Sequence, residues 1–239
     1  MKKIILLISI ISSSALFSKP ADTRIKMYAL YTPSHKILVD KYFLPSIKDN
    51  FNLIIDTFKQ QCPTGQFNSE GWNTTMLDKV DVIINAIKSN KNKIFIFSDV
   101  DIIFIRPVEK ELKKLMKTYE FVIQKSSEKL PNCCTGFFAM IGNEKNLKLW
   151  IDIKKFMLKN PKLSEEDVLN FFIKQGRLNN IKWSQLPKEY NTGGMFTGSR
   201  WVPGIELQLP ENILLHHANW TVGIDNKIAQ LEYVLKKTK

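Results

Sequence analysis

A chain of 239 residues is long enough to bury one sizeable core, and 44% hydrophobic content with 11% aromatics excludes a disordered chain. No apolar segment reaches the roughly 20 residues that a membrane-spanning helix needs. The formal charge of +12 comes almost wholly from lysine, with only Arg24, Arg106, Arg177 and Arg200 as arginines. Base edges and bidentate phosphate contacts favour arginine, so this charge does not describe a nucleic-acid binder. It suits attraction of an anionic small molecule such as a nucleotide diphosphate.

The N-terminus has Lys2-Lys3, an apolar stretch from Ile4 to Ile11 and a serine-rich tail to Ser18, the pattern of a signal peptide or an uncleaved anchor. Residues 1–18 are therefore set apart from a single domain expected over 22–239. The spacing predicts a strand at Ile25–Thr32, a helix around Ser34–Ile47, a second strand at Phe51–Asp56 and a polar loop at Phe58–Gly71. Met76, Val80, Ile83, Ile84 and Ile87 share one face of a helix over Thr74–Asn90. Lys79 sits at the edge of that face, where it either snorkels to water or reaches into a site. A continuous strand is predicted over Ile94–Ile105, then a helix at Glu109–Lys117, a strand near Phe121–Gln124, a loop through Pro131 and a strand at Phe137–Ile141. Two helices follow, over Lys145–Leu158 and from Ser164, which pairs with Asp167 as a capping box. Loops and short strands are expected over Ile181–Pro210, a strand at Ile213–His217 and a closing helix at Ile228–Lys236. This alternation predicts an α/β fold.

Within the apolar run Ile94–Ile105 stand Asp99 and Asp101. At period two both side chains leave one face of a strand, roughly 7 Å apart. Buried carboxylates without partners lose their hydration, and an oxygen-ligated divalent cation offsets that cost. His216-His217 lies far along the chain at a predicted strand end, from which a ring nitrogen can return to the same ion, and Lys227 follows. Cys62, Cys133 and Cys134 lack zinc-site spacing and leave open a Cys62 pairing with one vicinal cysteine or three buried thiols.

Four segments carry a resemblance: Ile94–Pro107, Cys134-Thr135-Gly136-Phe137-Phe138, Glu165–Asn170, and His217-Ala218-Asn219-Trp220 with Gly223 and Lys227. In this order they resemble the nucleotide-diphospho-sugar transferases of the GT-A fold, close to glycosyltransferase family 77. The chain differs at Glu165-Glu166, where the family has Asp-Gln, and at Cys134, where Asn is common. The resemblance implies a single Rossmann-like GT-A domain with a mixed, mainly parallel central sheet flanked by helices. It also implies a metal-dependent glycosyltransferase that retains configuration at the anomeric carbon. Asp99, Asp101 and His217, with His216 as the alternative, would hold Mn²⁺ or Mg²⁺. Tyr31, Thr32, Asp99, Thr135, Gly136 and Lys79 would bind the donor, a UDP-sugar first among nucleotide-diphosphate sugars. Glu165 or Asp167 would orient the acceptor hydroxyl of a glycan, protein or lipid, and Lys227 would stabilise the departing diphosphate. Two other readings stay open: a non-catalytic nucleotide-sugar or glycan-binding protein of the same fold, and a phosphatase of the haloacid-dehalogenase type. The latter lacks its later Asp-Asp pair. The leader implies export and no further membrane span.

Overall fold

Period-two alternation of apolar residues builds the centre of the molecule. In strand β1 (Lys26–Tyr31) Met27 and Ala29 face one layer while Tyr28 and Leu30 face the other. In β3 (Ile94–Ser98) Ile96 joins the first layer, and Phe95 and Phe97 the second. The computed structural model describes residues 22–62 and 69–239, so the expected leader and part of the Phe58–Gly71 loop lie outside the described residues. A six-stranded sheet runs in the order β2-β1-β3-β6-β5-β7, with β2 at Asn52–Thr57, β5 at Phe121–Lys125, β6 at Cys133–Ile141 and β7 at Trp183–Gln185. β1 is parallel to β2 and β3, β5 is parallel to β7, and β6 alone is antiparallel to its neighbours. The expected mixed, mainly parallel α/β sheet is present. Among the described residues no helix is long and apolar enough to cross a membrane.

Helices Trp72–Ser89, Glu144–Lys159 and Glu165–Lys174 cover one face. Val80, Ile83, Ile84 and Ile87 dock there on Tyr28, Phe95 and Phe138, as their spacing predicts. The capping box forms: Ser164 Oγ accepts from Asp167 N, and the Asp167 carboxylate accepts from Ser164 N at 2.9 Å. The segment 33–46 is helical, with an i→i−5 turn over Val39–Phe43. The closing helix, Ile224–Lys237, begins earlier than its apolar stripe predicts because Gly223 supplies the entry turn and Asp225 complements the helix dipole.

Two expectations are corrected. Ile94–Ile105 is not one strand: β3 ends at Ser98, and β4 (Ile102–Phe104) belongs to a separate three-stranded sheet, β4-β9-β8. In that sheet β8 is Tyr190–Thr192 and β9 is Leu215–His217. Asp99-Val100-Asp101 is the step between the two sheets. Apolarity continues past it because Ile102 and Phe104 pack beneath the first sheet and Ile103 packs with the closing helix. The strand expected from Phe137 begins four residues earlier, at Cys133, so Cys134-Thr135-Gly136 lies inside β6. The Asn170 side chain holds this end of the strand, accepting from Cys133 N at 2.8 Å and donating to Cys133 O at 2.9 Å.

His216 is fully buried between β8 and the closing helix. Its Nδ1 meets the Asn191 side-chain amide at 2.7 Å and its Nε2 meets the Gln230 side-chain amide at 3.2 Å. Burial lowers its pKa from 6.5 to about 4. The ring is neutral in the folded chain while it takes a proton in the unfolded one, so stability falls as pH drops from about 6.5 towards 4, by up to ~3 kcal/mol. Thermal melts across that window are expected to show a smaller loss in His216→Gln than in the parent.

Candidate functional site

The carboxyl ends of β1, β3 and β5 and the start of β6 meet at one edge of the large sheet, where open α/β sheets keep their ligands. A cleft of about 420 Å³ opens there, lined among others by Tyr31, Lys79, Asp99, Glu165, His217 and Trp220. The β3–β6 ladder continues one step past β3, with Asp99 N donating to Gly136 O at 2.7 Å. From the small sheet, Ala218 N donates to Asp101 O at 2.9 Å, which ties the end of β9 to the second aspartate.

Asp99, Asp101 and His217 therefore converge from two sheets, with one ligand atom from each all lying within 4.8 Å of one another. His217 Nε2 is 3.2 Å from Asp101 Oδ1 and 4.0 Å from Asp99 Oδ2. His216 points away into its buried polar cluster, so it does not serve as the alternative ligand.

The His217 tautomer follows from its second nitrogen. Gln124 Nε2 donates to two backbone carbonyls, Tyr190 O at 3.0 Å and Asn191 O at 2.9 Å. Carbonyls only accept, so the amide orientation is settled and Gln124 Oε1 faces His217 Nδ1 at 3.0 Å. Nδ1 must carry the proton, so in the neutral ring the Nε2 lone pair is directed at the Asp101 carboxylate. Two lone pairs facing each other at 3.2 Å repel unless a positive centre sits with them. This donor set, two carboxylates and an imidazole whose tautomer is fixed from behind, fits a divalent cation. Gly136 makes room for the ring: a Cβ there would come within 2.1 Å of His217 Cε1 and 3.0 Å of Asp99 Oδ2. Gln124→Leu, which removes the acceptor for Nδ1–H, is expected to weaken Mn²⁺ binding by about 10- to 100-fold in isothermal titration.

Two lysines balance the acids. Lys79, only 4% exposed, reaches Asp99 Oδ1 at 2.9 Å and Glu165 Oε1 at 3.0 Å. Burial would lower its pKa, but Asp99 and Glu165 lift it well above the ordinary value. It does not snorkel. Lys227 contacts Asp101 Oδ2 and donates to Ala218 O at 3.0 Å. Burial alone would raise Asp101, yet the Lys227 ammonium holds it well below the usual carboxylate range.

On the helix that begins at Glu165, Oε1 also accepts from Thr135 Oγ1 at 2.9 Å, while Oε2 is buried without a partner. Asp167 lines the cleft, but its carboxylate is occupied by the capping box. Glu166, to which the sequence assigns no role, accepts from Thr135 N at 3.1 Å, and burial raises its pKa. Tyr31 and Thr32 line the cleft at the end of β1, as expected from the strand-end rule, and His35 joins them. Cys134 Sγ lies 3.6 Å from His217 Nδ1 and receives Asn219 Nδ2 at 3.3 Å, while Cys133 Sγ receives Gln185 Nε2 at 3.5 Å. Both vicinal cysteines are buried thiols, and neither bonds to Cys62.

Solved glycosyltransferases share this fold. One that takes part in glycosylating the major capsid of PBCV-1 superposes with a TM-score of 0.58 at 10% identity, over 87% of this chain and 98% of that one. GlyE of Streptococcus pneumoniae TIGR4 gives 0.50 at 13% identity over 89% of this chain, which spans 61% of the GlyE structure. No curated protein sequence matches. The family model for nucleotide-diphospho-sugar transferases matches residues 46–231, more than half of the chain and every residue of the Asp99, Asp101 and His217 cluster, so the chain belongs to that family.

Proposed function

We propose that the chain is a metal-dependent glycosyltransferase that moves a sugar from a nucleotide diphosphate, UDP before others, to an acceptor hydroxyl with retention at the anomeric carbon. The observation that carries this reading is the convergence of His217 Nε2 on Asp101 Oδ1 at 3.2 Å, with Asp99 Oδ2 at 4.0 Å. Asp99, Asp101 and His217 would hold Mn²⁺ or Mg²⁺, which when bound neutralises charge on the donor phosphates. Tyr31 and Thr32 hold the nucleoside at the end of β1. Thr135 and Gly136 border the donor sugar. Lys227, at the first turn of the closing helix, turns its ammonium from Asp101 towards the leaving diphosphate. Lys79 holds the Asp99 and Glu165 carboxylates in place. Glu165 orients the acceptor hydroxyl in preference to Asp167, whose Oδ2 accepts both Ser164 N and Ser164 Oγ at the helix cap. We read residues 1–18 as an export leader, which N-terminal sequencing of the secreted chain tests.

The deciding experiment incubates the chain with a panel of UDP- and GDP-sugars, with Mn²⁺ or with EDTA, and measures released nucleotide. Metal-dependent release from one donor is expected. Intact donors combined with a Mn²⁺-dependent rise in melting temperature would favour a binding protein, and phosphate release from simple phosphomonoesters would favour a phosphatase.

A further inference from the structure

Trp220 adopts φ +56°, a conformation that a bulky side chain takes only when its surroundings impose it. Those surroundings are visible. Trp220 O accepts from Trp201 N at 2.7 Å, and the next residue, Thr221, donates from Oγ1 to Trp201 O at 3.0 Å. The indole Nε1–H donates to Ser126 O at 3.2 Å, so the ring is anchored at its polar edge. Its face is anchored too. A Cβ on Gly194 would lie 2.5, 2.6 and 2.7 Å from Cγ, Cδ2 and Cδ1, near-equal distances that put that position, where glycine carries only a Cα hydrogen, over the ring. Only glycine permits that approach. One face of the indole thus rests on backbone, and the half-buried remainder lines the cleft.

The strand order tells where along the cleft this ring stands. Tyr31 and Thr32 end β1, Asp99 follows β3, and Ser126, which anchors the indole, follows β5. In the order β1-β3-β6-β5 the first and last of these ends are three strands apart, roughly 14 Å at about 4.8 Å per strand. The Asp99, Asp101 and His217 cluster sits between them. A fixed, flat, partly apolar surface with a satisfied N–H suits the C–H face of a sugar ring, which buries apolar area and needs no further donor from the indole.

We propose that Trp220 is a stacking platform for a pyranose ring of the acceptor, across the metal cluster from the nucleoside end of the cleft. Its placement relative to the nucleoside rests on the proposed function. Acceptors are therefore glycans or glycosides, and a bare serine or lipid hydroxyl would leave the platform empty.

The full chain, with ¹⁵N-labelled tryptophan, UDP and Mn²⁺, is titrated with the methyl glycosides of glucose, galactose, mannose and xylose. Trp220→Phe identifies the Trp220 indole resonance. At least one glycoside is expected to shift that resonance and to receive saturation transfer from it. Trp220→Ala, and Gly194→Ala, which pushes the ring away without removing it, are expected to weaken that glycoside by more than tenfold while the Kd for UDP with Mn²⁺ changes by less than twofold. The proposal is overturned if no glycoside moves the resonance, or if uridine alone moves it, since the ring would then hold the base. If UDP with Mn²⁺ does not bind while a glycoside still shifts Trp220, the platform stands and the transferase reading fails. If UDP with Mn²⁺ binds and no glycoside has any effect, the platform fails and the transferase reading stands.

Discussion

Lys79→Met is expected to destabilise the folded chain by about 3–5 kcal/mol, the usual cost of leaving a buried charge without its partner. The ammonium is enclosed by Asp99 and Glu165 and stands 5.2 Å from the centroid of Phe97. Methionine fills the volume but leaves Glu165, 3% exposed at its side chain, with only the Thr135 hydroxyl. For a domain of this size the loss corresponds to roughly 10 °C in melting temperature. The pH dependence separates charge from packing. Burial raises the Asp99 carboxyl against the pull of Lys79, so without Lys79 its folded pKa lies further above its unfolded value. The penalty is then full at neutral pH and shrinks as pH falls through the raised folded value, because the neutral acid no longer needs a cation. Melts of parent and variant from pH 7.5 to 4.5 should therefore converge. A constant offset across that range would mean that lost packing, not an unpaired carboxylate, causes the instability.

The same residues explain what the sequence discloses and what it hides. The alternation in β1, β3 and β5 and the stripe Val80, Ile83, Ile84, Ile87 are local and periodic, so burial writes them directly into residue type. Asp99, Asp101 and His217 stand out because carboxylates and a late histidine in apolar strands need a common partner. The break between β3 and β4 is silent, since Ile102–Phe104 must be as apolar for the second layer as a continuing strand would be. Gln124 is silent for a different reason. It reads as a polar residue near a strand end, and its role exists only through Tyr190, Asn191 and His217, each more than sixty positions away. Trp220 is visible as part of a motif, but its anchoring by Gly194 and Ser126 depends on backbone that only the folded chain brings together.

Asp101→Asn is expected to lower metal-dependent donor cleavage by on the order of 10³-fold, a loss of the size seen when one charge-stabilising group is removed from a preorganised site. Asparagine keeps the shape of the side chain and removes its charge, so the His217 Nε2 lone pair loses its anionic counterpart at the cation site. In the metal-free protein two changes oppose each other. Lys227 loses its carboxylate, whereas Asp99 is relieved of a nearby like charge. The sensitive readout is therefore the metal-induced shift, taken for each protein against its own apo melt. At a Mn²⁺ concentration about 100 times its Kd, mass action stabilises the parent by about 2.7 kcal/mol, while a variant that binds at least 100-fold more weakly gains under about 0.5 kcal/mol. Parent melts should rise by several degrees on adding Mn²⁺ and return with EDTA, and Asp101→Asn melts should stay still. A variant that loses cleavage yet keeps the full Mn²⁺ shift would place the ion elsewhere and leave Asp101 as the anchor of Lys227, whose ammonium would then be the main positive charge facing the diphosphate.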